Sequence, residues 1–326
     1  MLKVLLTHTP QTLRRYYGAR AVAELRALAD LRLHDGDDAL TPAELVAAAG
    51  DVDVIIADRL TTGPAVVFAG LPRLKAFLRC AVDIRNIDVA AASAAGVLVT
   101  RATPGFNTSV SELAIGYMID LSRSISRTAA DYQAGRAPEA RMGRELSGGT
   151  LGIIGYGGIG RHLASIAAAL GMVVLIADPY ARIEDPRFSG VTMEDLLARS
   201  DYVVCLAGAT NETENLIDAT ALGRMQPTAF FLNLSRGNLV DEAALTAALV
   251  EGRIAGAALD VGRAADQMPT PAVARLPNVV ATPHVGGLTP PAIEHQAFDT
   301  VHQVAALVRG ELPPGAVNSE HWTRRV

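Results

Sequence analysis

Only two cysteines occur in the 326 residues, Cys80 and Cys205, far apart and without metal-site spacing. That sets aside a disulfide scaffold and a zinc module, and makes a reducing cytoplasm the simplest setting. An excess of one charge is also missing. The net charge is -5, with no long acidic or basic run, which argues against nucleic acid or an anionic membrane as the main partner. Long apolar runs are absent too. The apolar start at residues 1–8 is too short for a signal-peptide core, and no cleavage-like site follows it. The longest apolar stretch, residues 163–177, contains Ser165 and Gly171 and is too short to span a bilayer. No internal repeat is present. What remains is abundant apolar sequence: 50% of residues are hydrophobic and 19% charged. This is the composition of a compact protein with enough chain for two cores.

Short apolar runs alternate with helical patterns, the mark of βαβ units and parallel sheets. The first third predicts strands at residues 3–6, 53–57, 74–81 and 97–100, and a helix over 13–28. Thr41-Pro42-Ala43-Glu44 reads as a capping box with proline at the first helical position. Asp88 caps a further helix that Gly96 ends. Pro104-Gly105 marks a break, after which Ser109 and Glu112 predict a capping box opening a helix over 110–128. Residues 133–149 are polar and glycine-rich and fit an exposed arm. A second series follows, with strands expected at 151–154, 172–177, 202–206, 229–234, 255–260 and 279–281. These six near-continuous apolar runs suit parallel strands covered on both faces. A last helix over 291–309 is expected to return to the first domain.

Between the first strand of that second series and a helix lies Gly155-Tyr156-Gly157-Gly158-Ile159-Gly160. Gly155, Gly157 and Gly160 match the dinucleotide fingerprint: a tight turn, a close approach for pyrophosphate, and close helix–strand packing. The helix is expected to bury Ile159, Leu163, Ile166 and Leu170 and to end at Gly171. Its N-terminus, at Gly158 and Ile159, offers unpaired N–H groups and a positive dipole end. The next strand ends at Asp178, where a carboxylate takes ribose hydroxyls and repels a 2′-phosphate, so NAD is expected and not NADP. Three further strand ends carry candidates: Arg236 in Asn233-Leu-Ser-Arg-Gly237, Asp260, and His284 in Thr282-Pro-His-Val-Gly-Gly287. Ligands of open α/β sheets bind at that edge, and an arginine fork suits a carboxylate.

With these segments assembled, the sequence resembles the D-2-hydroxyacid dehydrogenase family, which includes phosphoglycerate dehydrogenases and glyoxylate/hydroxypyruvate reductases. The matching stretches are residues 145–160, 233–242, 256–261 and 282–289, with Asn107 through Glu112 matching a helix start. The resemblance implies a Rossmann NAD domain at residues 104–289 and a flavodoxin-like substrate domain from 1–103 and 290–326. Both are doubly wound α/β parallel sheets, with the active site in the cleft between them. It implies that Arg236 binds the carboxylate and carbonyl oxygen of a 2-keto acid, and that His284 is the acid/base. The loop Ala81-Val82-Asp83 would offer N–H groups to the carboxylate. Ser235, Asp260 and Gly286 would hold the nicotinamide end, with Thr213 near the cofactor. The implied cofactor is NAD, with no metal, and the implied assembly is a cytoplasmic homodimer paired through the 133–149 arm. The chain ends soon after the returning helix, so no regulatory domain is expected beyond it. Two rivals stay open: a non-catalytic NAD(H)-sensing corepressor-like scaffold, and a formate- or phosphite-type dehydrogenase.

The sequence departs from the family in places. Ala81 and Asp83 stand where glycines are usual, and Arg85 where an aspartate is usual. The usual proline and histidine are missing from residues 205–210. The glutamate that orients the histidine is replaced by Ala265. The span from Asp260 to His284 is one residue longer than in a typical relative, which brings Asp266 into the glutamate's place as the expected partner of His284. Gln267 is the runner-up.

Overall fold

A computed structural model describes residues 1–325, the side chain of Asp266 excepted. The chain divides into two compact units, one of residues 1–105 with the chain from 288 onward, the other of residues 106–287.

The first unit holds a parallel sheet of β1 (Lys3–Leu6), β2 (Asp30–Leu33), β3 (Val54–Ala57), β4 (Ala76–Arg79) and β5 (Leu98–Thr100), in the order β2-β1-β3-β4-β5. The order reverses between β1 and β3, as in doubly wound flavodoxin-like sheets. Alternate residues of each inner strand feed two cores. Leu6, Ile56 and Leu78 meet the helices Ala19–Leu28 and Pro290–Val308 through Val22, Leu25, Ala297, Val301 and Leu307. On the other face Leu5, Ile55, Phe77 and Val99 meet Leu45, Val67, Phe68 and Ala92.

The second unit holds β6 (Thr150–Ile154), β7 (Val173–Ala177), β8 (Phe188–Gly190), β9 (Tyr202–Cys205), β10 (Phe230–Asn233), β11 (Gly256–Leu259) and β12 (Val279–Ala281). All pair in parallel, in the order β12-β11-β10-β9-β6-β7-β8, with the reversal between β6 and β9. Ala177, Ile154, Cys205, Asn233, Leu259 and Ala281 lie side by side in register. Gly155, Asp178, Leu234, Asp260 and Thr282 therefore all leave the sheet at one edge.

Several expectations need correction. The helix over 13–28 is two helices, Pro10–Tyr16 and Ala19–Leu28, because Gly18 turns the chain with φ 90°. The predicted Ser109/Glu112 capping box does not form: the helix Asn107–Arg123 has already begun, and Ser109 Oγ donates back to the Phe106 carbonyl at 3.1 Å. This helix breaks at Ser124 (φ 54°), where Asp120 accepts the Ser126 N–H at 2.8 Å, and resumes as Ile125–Gln133. Strands β2 and β8 were not anticipated. Both sit at sheet edges and are half polar, so neither shows the apolar run of an inner strand. The helix Gly158–Ala169 buries Gly160, Leu163, Ala164 and Ala167, whereas Leu170 is its C-cap and is exposed.

Candidate active site

Gly155 has φ 96°, a backbone state open to glycine, and a side chain there would meet the Ala207 backbone at 2.7 Å. A side chain at Gly160 would lie 2.4 Å from the Gly155 carbonyl, so this glycine sets the approach of helix to strand. Nothing lies within 4 Å of the corresponding point at Gly157. That glycine faces open space at the N-terminus of Gly158–Ala169, where amide donors and the helix dipole favour an anion.

Asp178 follows β7 and is tied to this loop. Its Oδ2 accepts the Tyr156 N–H at 2.7 Å, and its Oδ1 accepts the N–H groups of Tyr180 and Ala181 at 2.9 and 3.1 Å. The carboxylate is thus aimed before any ligand arrives. An open glycine over a helix N-terminus beside a fixed carboxylate fits the pyrophosphate and ribose of NAD.

After β9, Thr213 closes its own loop: its Oγ1 accepts from Thr210 N–H and donates to the Gly208 carbonyl, both at 2.8 Å. After β10, the buried Asn233 does the bracing. Its Oδ1 accepts the Ser235 N–H at 3.1 Å and its Nδ2 donates to the Arg236 carbonyl at 3.0 Å. Ser235 Oγ donates to the Ala207 carbonyl at 2.5 Å, joining this turn to the glycine loop's neighbour. Arg236, half-buried, donates from Nη1 to the Ser235 carbonyl at 2.7 Å.

Asp260, 3% exposed, holds the histidine segment. Its Oδ1 accepts from Thr282 Oγ1 at 2.6 Å and from Val285 N–H at 2.7 Å, and its Oδ2 accepts from Gly286 N–H at 2.8 Å. Because Thr282 gives its proton to Asp260, the Tyr117 hydroxyl donates to Thr282 Oγ1. Burial pushes the Tyr117 phenol's pKa up, which keeps the donor proton in place. Between these anchors His284 takes φ 54°, with its N–H on the Thr282 carbonyl at 3.0 Å. Asn233, Thr282 and Tyr117 were not assigned roles from sequence; a strand-end asparagine and the threonine of Thr-Pro-His were the available signals.

The expected pairing of Asp266 with His284 falls on a side chain outside the described residues. Gln267, the alternative, has φ 58°, and its buried Oε1 has no hydrogen-bond partner among the described residues. In the first unit, the loop 81–83 follows β4. The N–H groups of Ala81 and Val82 donate to no protein acceptor among the described residues. Asp83 is chelated by Arg85, whose Nη2 reaches Oδ2 at 2.7 Å and whose Nε lies 3.1 Å from both oxygens. Two departures from the family pattern therefore neutralise each other. Among the described residues no helix is long and apolar enough to cross a membrane, and no metal-binding cluster forms.

A glycine turn at the switch point of a seven-stranded parallel sheet, with a carboxylate fixed at the next strand end, defines a dinucleotide-binding protein. Residues 115–286 match the family model described as D-isomer specific 2-hydroxyacid dehydrogenase, NAD binding domain. The chain is 36% identical to the D-3-phosphoglycerate dehydrogenase of Mycobacterium tuberculosis over 91% of its length, and spans 56% of that relative. It is 33% identical to the hydroxypyruvate reductase of Thermotoga maritima, over 80% of this chain and 86% of that one. The solved D-lactate dehydrogenase with NAD+ from Lactobacillus jensenii superimposes with a TM-score of 0.83 at 26% identity, covering 97% of this chain and 99% of that one. This chain belongs to the D-isomer specific 2-hydroxyacid dehydrogenase family.

Proposed function

We propose that the protein is an NAD-dependent oxidoreductase interconverting a small 2-keto acid and the D-2-hydroxy acid. One observation carries the reading. Arg236 and His284 leave the sheet at the same edge as the glycine loop, each on a segment braced by a buried side chain, Asn233 and Asp260. The planar fork of Arg236 binds the carboxylate and polarises the carbonyl oxygen. His284 gives that oxygen its proton in reduction and takes it back in oxidation. The nicotinamide, when bound, supplies or accepts the hydride at the carbonyl carbon. Gly155, Gly157, Gly158, Ile159 and Gly160 hold the pyrophosphate and Asp178 the ribose. Ser235, Asp260 and Gly286 face the nicotinamide end, with Thr213 along the cofactor's path. The N–H groups of residues 81–83 hold the substrate carboxylate, and Asp266 orients His284. The two buried free thiols, Cys80 and Cys205, support a reducing cytoplasm, and the exposed arm supports a homodimer.

NADH consumption against a panel of 2-keto acids tests the reading. Turnover of at least one is expected, with His284→Asn lowering kcat by about 100-fold or more. Consumption by no 2-keto acid, or an unchanged rate in His284→Asn, overturns it.

A further inference from the structure

Among the described residues Arg79 is the largest that is fully buried, at 0% exposure. Its burial is unfavourable enough to lower the guanidinium pKa to about 10. An apolar side chain of similar volume at this strand end would avoid that cost. What a guanidinium adds is direction: a planar fork whose donors point at fixed angles. Here the fork joins two loops at the edge of the first sheet. Nη1 donates to the main-chain carbonyl of Asp58, and Nη2 to the Thr61 carbonyl at 3.0 Å, both in the loop after β3. Nη2 also donates to Asn86 Oδ1 at 2.5 Å, in the loop after β4. Asn86 returns the link, its Nδ2 donating to the Arg59 carbonyl at 3.1 Å and its carbonyl accepting the Gly63 N–H at 3.0 Å. The Asp58 carboxylate stiffens the first of these loops, accepting from Thr61 N–H at 2.8 Å and Thr61 Oγ1 at 2.7 Å. Residues 81–83 lie between Arg79 and Asn86, so the segment whose Ala81 and Val82 N–H groups meet no acceptor among the described residues is pinned at both ends.

We propose that Arg79 and Asn86 are positioning residues that hold the 81–83 loop in the shape that receives the substrate carboxylate. This rests on the keto-acid reading above. Neither residue touches substrate; they act through the main chain of the loop. The geometry favours a KM effect, because what they set is the direction of ground-state N–H donors and not the proton donor or the hydride path.

Arg79→Lys is the direct variant, but it strips two buried carbonyls of their partner and can fail to fold. Asn86 is exposed, so Asn86→Ala carries the test, with Asn86→Asp as the conservative variant that keeps an acceptor for Arg79. Three quantities are measured: KM and kcat for the best keto acid, NADH affinity by fluorescence, and amide hydrogen exchange over residues 80–87. Asn86→Ala is expected to raise KM about 10-fold, as the loss of two ordinary hydrogen bonds allows. Its kcat and NADH affinity stay within about two-fold, exchange across 81–83 quickens, and Asn86→Asp recovers most of the KM. Unchanged KM, or exchange at 81–83 equal to wild type, overturns the proposal. So does a fall in melting temperature with no change in KM, which marks a structural role only. A wild type that consumes no keto acid refutes the functional reading instead, and the exchange comparison then decides the positioning claim alone.

Discussion

Asp178 shows how much a single side chain settles. A carboxylate has roughly four acceptor positions. Three are taken by the N–H groups of Tyr156, Tyr180 and Ala181, which fixes the remaining capacity in direction. A ribose hydroxyl can donate to it, whereas a 2′-phosphate brings like charge against like, at a cost of several kcal/mol. The wild type is therefore expected to use NADH far better than NADPH. Asp178→Ser, which keeps one acceptor for the loop, should narrow the ratio of kcat/KM values by at least about 10-fold. Steady-state kinetics with both cofactors checks this, and equal kcat/KM for the two in the wild type contradicts it. Asp178 was legible because the glycine fingerprint fixes where the next strand must end. Thr282 and Tyr117 were not, since they meet across 165 residues of sequence, and Asn233 was not, since its bonds to the Ser235 N–H and the Arg236 carbonyl depend on the shape of the turn after β10. A carboxylate such as Asp83 is by charge alone unfavourable beside an anion, and only the geometry shows Arg85 folded onto it.

Among the elements, inner strands were readable and boundaries less so. β3 and β9, and β4 and β10 up to their last residues Arg79 and Asn233, are short apolar runs that are largely buried, and such runs have few other uses. β2 alternates exposed and half-buried residues, and only Phe188 of β8 is buried, so neither separates from loop by pattern. The breaks at Gly18 and Ser124 depend on left-handed backbone whose acceptors, such as Asp120, are settled by packing. The arm after Ile125–Gln133 carries its own signal. Met142 on the arm is 100% exposed and Tyr132, at the end of the preceding helix, 69%, and two large exposed side chains this close in sequence suit an interface between copies. A homodimer through this arm predicts that Tyr132→Asp with Met142→Asp raises the dimer dissociation constant at least about 10-fold. Sedimentation equilibrium reads the change, and a wild type that is monomeric at micromolar concentration rules the arm out.

At the scale of the whole molecule, two parallel sheets of five and seven strands each reverse their order once, and each reversal opens a place for a ligand at the C-terminal edge. The alternation of apolar runs with helical segments made this architecture visible in sequence. The register of β7, β6, β9, β10, β11 and β12 then lines up Asp178, the glycine loop, Arg236, Asp260 and His284 along one edge. The central claim is that this edge passes a hydride between nicotinamide and the carbonyl carbon of a 2-keto acid. The most direct measurement is isotopic: the protein is supplied with a 2-keto acid and NADH deuterated at the nicotinamide C4, on one face and then the other, and the product is analysed by mass spectrometry and chiral chromatography. The account predicts deuterium at C2 of a D-2-hydroxy acid from one labelled face and none from the other. Product without label from either face, or of L configuration, contradicts it.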